Sequence, residues 1–117
     1  AETNLEKSAK LTRKADQLIS SVQSTAEELS SLFIQLGRYS QTETLLNLLL
    51  TDYEKTYGAN SIRLIEPLTN KGKILLAKGD YTEAERIAKR AYLIASTVYG
   101  EISTKTAPTQ KLLGDIY

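Results

Sequence analysis

Apolar positions along the chain recur at three- and four-residue steps, in segments that stop at glycine. Leu64, Leu68, Gly72, Leu75 and Leu76 fall on one face of a helix, and Lys78-Gly79-Asp80 then breaks the pattern. A glycine in the left-handed conformation closes a helix, and Asp80 or Thr82 is placed to cap the next one. From Thr82 the period resumes through Ala84, Ile87, Ala88, Ala91, Ala95, Val98 and Tyr99 and ends at Gly100. The stretch before residue 60 repeats this layout. Ala26, Leu29, Phe33 and Leu36 lead to a break at Gly37, and Leu45, Leu46, Leu49, Leu50, Tyr53 and Tyr57 follow. At the N-terminus Leu5, Ala9, Ala15, Leu18, Ile19 and Val22 also keep helical spacing. No segment alternates with period two, so the chain is expected to be all-α, with about five helices and no sheet.

The two halves are copies. Shifted by 42 positions, Gly37-Arg38-Tyr39 falls on Gly79-Asp80-Tyr81, Tyr57-Gly58 on Tyr99-Gly100, Glu43 on Glu85 and Gly72 on Gly114. Each copy reads as two antiparallel helices joined at the first glycine. Such units cannot bury their apolar faces alone and stack into a solenoid. The expected divisions are an N-terminal helix over 1–23 (a cap or an eroded preceding repeat), a first unit over 24–58, a second over 61–100, and the first helix of a third over 103–117. That third unit lacks its second helix, which predicts that the array continues past Tyr117. Small residues mark the close helix seam of the second unit. Gly72 and Ala84 are expected to face each other across the turn, with Ala88 and Ala91 continuing the line. Tyr39 and Tyr81 are placed to plug the ends of the pairs. The first unit is degenerate, with Ser30, Thr42, Leu46 and Leu49 at the matching small positions.

Composition narrows the chemistry. Lysine and arginine number 15 against 14 acids, so the basic excess of a nucleic-acid binder is missing. Apolar residues make up 41% of the chain, but no run reaches the roughly 20 residues that span a bilayer. Residues 1–13 carry charge without the apolar core of a signal peptide, so a cytoplasmic location is the default. Cysteine and histidine are both absent, which removes disulfides, thiolate sites, the commonest general base and the commonest transition-metal ligand. Methionine is absent even at position 1, as expected of a processed or excised piece. Serines and threonines therefore lack an activating partner, Glu27-Glu28 and Asp52 with Glu54 read as helix surface, and no Gly-x-x-x-x-Gly-Lys loop occurs. No catalytic, cofactor or metal site is expected, and the chain is not expected to be an enzyme. The stripes Arg86, Lys89, Arg90 and Lys7, Lys10, Lys14 have Glu83, Glu85, Glu6 and Asp16 interleaved, and intrahelical pairs account for them.

Gly72, Gly79, Asp80, Tyr81, Ala84, Ala88 and Ala91, at these spacings, resemble the tetratricopeptide repeat. The 42-residue period and the string Tyr81-Thr82-Glu83-Ala84-Glu85 … Arg90-Ala91 … Val98-Tyr99-Gly100 are similar to the longer subtype found in kinesin light chains and many bacterial arrays. Where that subtype has a His-Pro segment, this chain has Ala59-Asn60-Ser61-Ile62 and Glu101-Ile102-Ser103-Thr104. The resemblance implies a right-handed superhelix of helix pairs, in which the first helices line a concave groove that takes an extended peptide or a partner helix. Carried over by position, the groove-facing residues are Glu27, Ser31 and Gln35 in the first unit. They are Thr69, Asn70, Lys73 and Ala77 in the second, and Lys111 and Asp115 in the third. Asn70 offers both a donor and an acceptor to a peptide backbone, while Lys73 and Lys111 suit an acidic ligand. The same residues also suit a plain solvated helix face. The lysine–asparagine–asparagine–lysine–arginine set that clamps a terminal carboxylate is incomplete. The expected role is a protein-interaction scaffold with a protein or peptide ligand and neither nucleic acid nor membrane. The alternative is the regulatory arm of a larger enzyme or signalling protein, such as a fused peptidase, kinase or transcription regulator. The exposed solenoid ends would also allow stacking into a homo-oligomer.

Overall fold

Neither glycine nor proline interrupts the sequence between Asn4 and Gln35, and one unbroken helix, α1, occupies that span in the computed structural model, which describes residues 3–117. Thr3 opens it with a reciprocal cap: its hydroxyl accepts from the Glu6 amide at 3.2 Å, and the Glu6 carboxylate accepts from the Thr3 amide at 3.3 Å. The expected boundary near residue 23 is thus not marked by a break, because the polar residues there are tolerated inside a helix and none forces a turn. The side chains of Ala15, Asp16, Leu18 and Ile19 lie outside the described residues.

Four more helices follow: α2 (Tyr39–Tyr57), α3 (Ile65–Ala77), α4 (Tyr81–Tyr99) and α5 (Ala107–Ile116), with a single 3₁₀ turn over Ile62–Leu64 before α3. No strand occurs among the described residues. The repeat is visible bond by bond. After α1 the Gly37 amide donates to the Ile34 carbonyl at 3.1 Å and the Arg38 amide to Phe33 at 2.9 Å. After α3 the Gly79 amide donates to Leu76 at 3.1 Å and the Asp80 amide to Leu75 at 2.9 Å. Both closures need a positive φ, 73° at Gly37 and 82° at Gly79, which accounts for glycine at the two positions. Of the two capping candidates, Asp80 is the one that caps α4, accepting from the Glu83 amide at 3.4 Å.

The core runs through all three layers of the stack, with Leu46 and Tyr53 of α2, Leu64, Leu68 and Ile74 around α3, and Ile87 of α4 buried together. α3 packs on α2, α4, α5 and α1, and α1 packs mainly on α2. The first helices of the pairs approach one another, whereas α2 and α4 make no such approach among the described residues. That asymmetry curves the stack and puts α1, α3 and α5 on its inner face. Ser30 and Thr42, which stand where the second unit has Gly72 and Ala84, are fully buried. Their hydroxyls donate to the carbonyls four residues back, Ala26 at 2.8 Å and Arg38 at 2.7 Å, so the degenerate seam leaves no orphaned hydroxyl.

Three expectations change in three dimensions. Gly72 faces α5 more closely than it faces Ala84. A Cβ there would lie 2.6 Å from Leu112 Cδ2, whereas the nearest atom of Ala84, its carbonyl oxygen, is 3.9 Å away. Tyr39 packs against the core, but Tyr81 is 58% exposed and plugs no helix pair among the described residues. In the basic stripe of α4, Arg86 pairs with Glu83 and Lys89 with Glu85 as the spacing requires. Arg90 instead reaches back to α2, binding Glu54 at 2.9 Å and the Ala59 carbonyl at 3.0 Å. With Lys78 on Glu43 at 2.8 Å it links consecutive units.

Candidate functional site

The inner face opens into a cleft of about 480 Å³ between α1 and α3, lined by Ser24, Glu27, Glu28, Ser31, Leu32 and Glu66. Helical spacing brings the set together. Residues 24, 27, 28 and 31 share one side of α1, and Gln23 and Ser30 on the adjoining side are buried.

Glu27 is held from behind. The Tyr53 hydroxyl, at the end of a side chain only 1% exposed on α2, donates to Glu27 Oε1 at 2.6 Å. Burial, and then the neighbouring carboxylate, push the Tyr53 phenol well above its ordinary value, so it stays protonated and keeps donating. Tyr57 meets the Tyr53 ring edge-on at 5.8 Å and carries Arg63 over its own face at 4.8 Å. Gln23 ties the same corner together by donating to Asp52 at 2.8 Å and accepting from the Tyr57 hydroxyl at 3.3 Å.

Across the cleft, partial burial and then the Glu27 charge raise the Glu66 carboxyl above the usual carboxylate range, and Lys73 opposes them. An acid raised in the folded state binds its proton more tightly there than in the unfolded chain. Its protonated form therefore favours folding, and this contribution is lost as pH rises from about 4.5 through the folded-state value. Glu66→Gln should accordingly flatten the fall in thermal midpoint over that window and raise the midpoint at pH 7. An unchanged pH profile would mean that neither burial nor the Glu27 charge perturbs Glu66.

The sequence-derived positions divide into three groups. Glu27 and Ser31 line the cleft. Asn70, Lys73 and Ala77 continue from Glu66 at steps of four, three and four on α3, one face of that helix. Asn70 is 8% exposed and has no side-chain hydrogen bond among the described residues, while Lys73 is exposed. Thr69 is buried, and its hydroxyl donates to the Ile65 carbonyl at 2.7 Å, which turns it away from any ligand. Gln35 is exposed at the far end of α1, and Lys111 pairs with Asp115 at 3.5 Å on α5. Sequence reasoning missed Glu66 and the Tyr53 support of Glu27. The signal for Glu66 was its place one helical turn before Asn70. The tyrosine bond joins residues 26 apart and carries no local signal.

Among the described residues no group of three or more His, Cys, Asp or Glu could hold a metal ion, and no helix is long and apolar enough to cross a membrane. The tetratricopeptide repeat model matches residues 21–95, from the middle of α1 through most of α4. No curated protein matches the chain. Repeats of this family generally mediate protein–protein interaction and are typically non-catalytic scaffolds.

Proposed function

The chain belongs to the tetratricopeptide repeat family, and from that premise we propose that its concave face binds an extended peptide of a protein partner, with a basic side chain seated between α1 and α3. The observation that carries this reading is the pairing of Glu27 with Glu66 across the cleft, with Glu28 at its rim. A lysine or arginine placed there would offset the burial and the Glu27 charge that together raise the Glu66 carboxyl. One turn along α3, the unpartnered Asn70 carboxamide is suited to hold the peptide backbone, and Lys73 and Lys111 would face an acidic residue further along. Lys111 is the weaker contributor because Asp115 already shares its charge. The 42-residue period supports reading the array as the kinesin-light-chain-like subtype.

Selection from a displayed random-peptide library tests it. Lysine- or arginine-containing peptides should be enriched, and Glu27→Gln with Glu66→Gln should abolish the enrichment without lowering the melting temperature. Asn70→Ala with Lys73→Ala should weaken the selected peptides about tenfold while the fold melts normally. Enrichment of acidic peptides instead would reverse the charge assignment, and recovery unaffected by all four substitutions would move the site off the inner face.

A further inference from the structure

We propose that the outward face of α1 is a dimerisation surface, on which α1 of a second copy of this chain lies antiparallel. Among the described residues, no other helix packs along the N-terminal turns of α1. Gln23 already meets Asp52 and Tyr57 near the end of α2, so the turns before it project past the rest of the stack, with Leu5 and Leu11 exposed. A lone helical segment of that length is marginal in water unless something packs on it.

The sequence of α1 carries the pattern such packing requires. Steps of four and three alternate without a fault from Leu11 through Leu18, Val22, Leu29 and Leu32 to Leu36, with Ala15 and Thr25 completing the stripe. This is the spacing of a two-stranded coiled-coil seam. Leu11, Val22, Leu29 and Leu36 of it are exposed, away from the buried Gln23 and Ser30, and Leu32 lies at the border with the inner-face cleft. Val22 and Leu36 are each 67% exposed and Leu11 69%. Val22, Ala26, Leu29 and Leu45 of α2 line a shallow apolar trough of about 350 Å³ along it. Leu48, one turn on from Leu45, adds a further exposed apolar group on α2.

Charge selects the occupant and its direction. Lys7, Lys10, Arg13 and Lys14, with Glu6 and Asp16 among them, leave one half of α1 net positive, while Glu27 and Glu28 make the other net negative. A parallel pair would set the four cations beside their own copies. An antiparallel pair with its two-fold axis near residue 20 sets Leu11 opposite the second copy's Leu29. In the same register Lys14 lies beside the second copy's Glu28, and symmetry makes each contact twice. The flank position of both Lys14 and Glu28 in the heptad is the one that meets its own kind in antiparallel coils. The projecting half of each α1 then covers the trough of the other, and the two repeat stacks stand at opposite ends. Glu28 and Leu32 also border the inner-face cleft, so the dimer is tested by mass and cross-linking, separately from peptide selection.

Sedimentation equilibrium of the 117-residue chain across a wide concentration range, with site-directed cross-linking, tests it. The mass should rise from 13.0 kDa to twice that value. Lys14→Glu should weaken the dimer by about tenfold, and adding Glu28→Lys should restore it. The chain has no cysteine, so a mixture of Leu11→Cys and Leu29→Cys chains should cross-link to each other, whereas Leu11→Cys alone should not. A monomer at every concentration would overturn the proposal, as would cross-linking of Leu11→Cys to itself. So would a dimer indifferent to charge at position 14. If a chain carrying residues ahead of Ala1 were monomeric while the 117-residue chain dimerises, the face would belong to a preceding helix and the proposal would fail.

Discussion

Replacing Ala88 by phenylalanine should cost about 2–3 kcal/mol of unfolding free energy, while Lys89→Ala, one residue along, should change it by less than about 0.5 kcal/mol. Ala88 is fully buried on α4, as are its helical neighbours Ala84, Ala91 and Ala95. These small side chains let α4 sit close to α3, and a ring at position 88 has no space to enter without pushing the helices apart. Lys89 projects to solvent, with its amine on Glu85 at 2.7 Å, an exposed i,i+4 pair of the kind that contributes little. Urea unfolding of the two variants beside the parent chain measures both. Equal losses would show that the phase assigned to α4 is wrong.

Tyr53→Ala should be more damaging still, about 3–5 kcal/mol, which is a large share of the stability of a domain this size. Tyr53 is the largest fully buried side chain, and its removal opens a void among Leu46, Leu49 and Leu50 and takes away the donor to Glu27. Tyr53→Phe separates the two effects. It keeps the ring in place and should cost only about 1 kcal/mol, because the half-buried Glu27 can find water instead. On the peptide reading it also leaves Glu27 free to move, so selection for basic side chains should become weaker. If the phenylalanine variant were as unstable as the alanine one, the hydroxyl rather than the ring would be the main contributor.

Much of the fold was legible because the repeat writes each feature twice. The glycines at 37 and 79 mark the same turn, and the hydrogen bonds around them match in partners and in length. The family match runs over residues 21–95, from the middle of α1 through most of α4. The buried alanines of α4 could also be read directly, since small side chains repeated at helical spacing are what a close approach of two helices requires. Less of the candidate site was legible. Position in the repeat pointed to Glu27 and Ser31 and to the face of α3 that carries Asn70 and Lys73. It also pointed to Thr69, whose hydroxyl is committed to its own helix.

What the sequence determined by itself was periodicity: where helices begin and stop, which side of each is apolar, and that the units stack. These are local matters of backbone preference and side-chain burial, readable within a few turns of chain. The tertiary structure alone decided which residues meet across the stack. Leu112, from a different helix pair, is what a side chain at Gly72 would meet first. Arg90 leaves its own helix for Glu54, and Glu27 and Glu66, 39 residues apart in the chain, face one cleft. Such pairings depend on how the helices are spaced and rotated when the whole core closes, and that geometry is a property of all the contacts together.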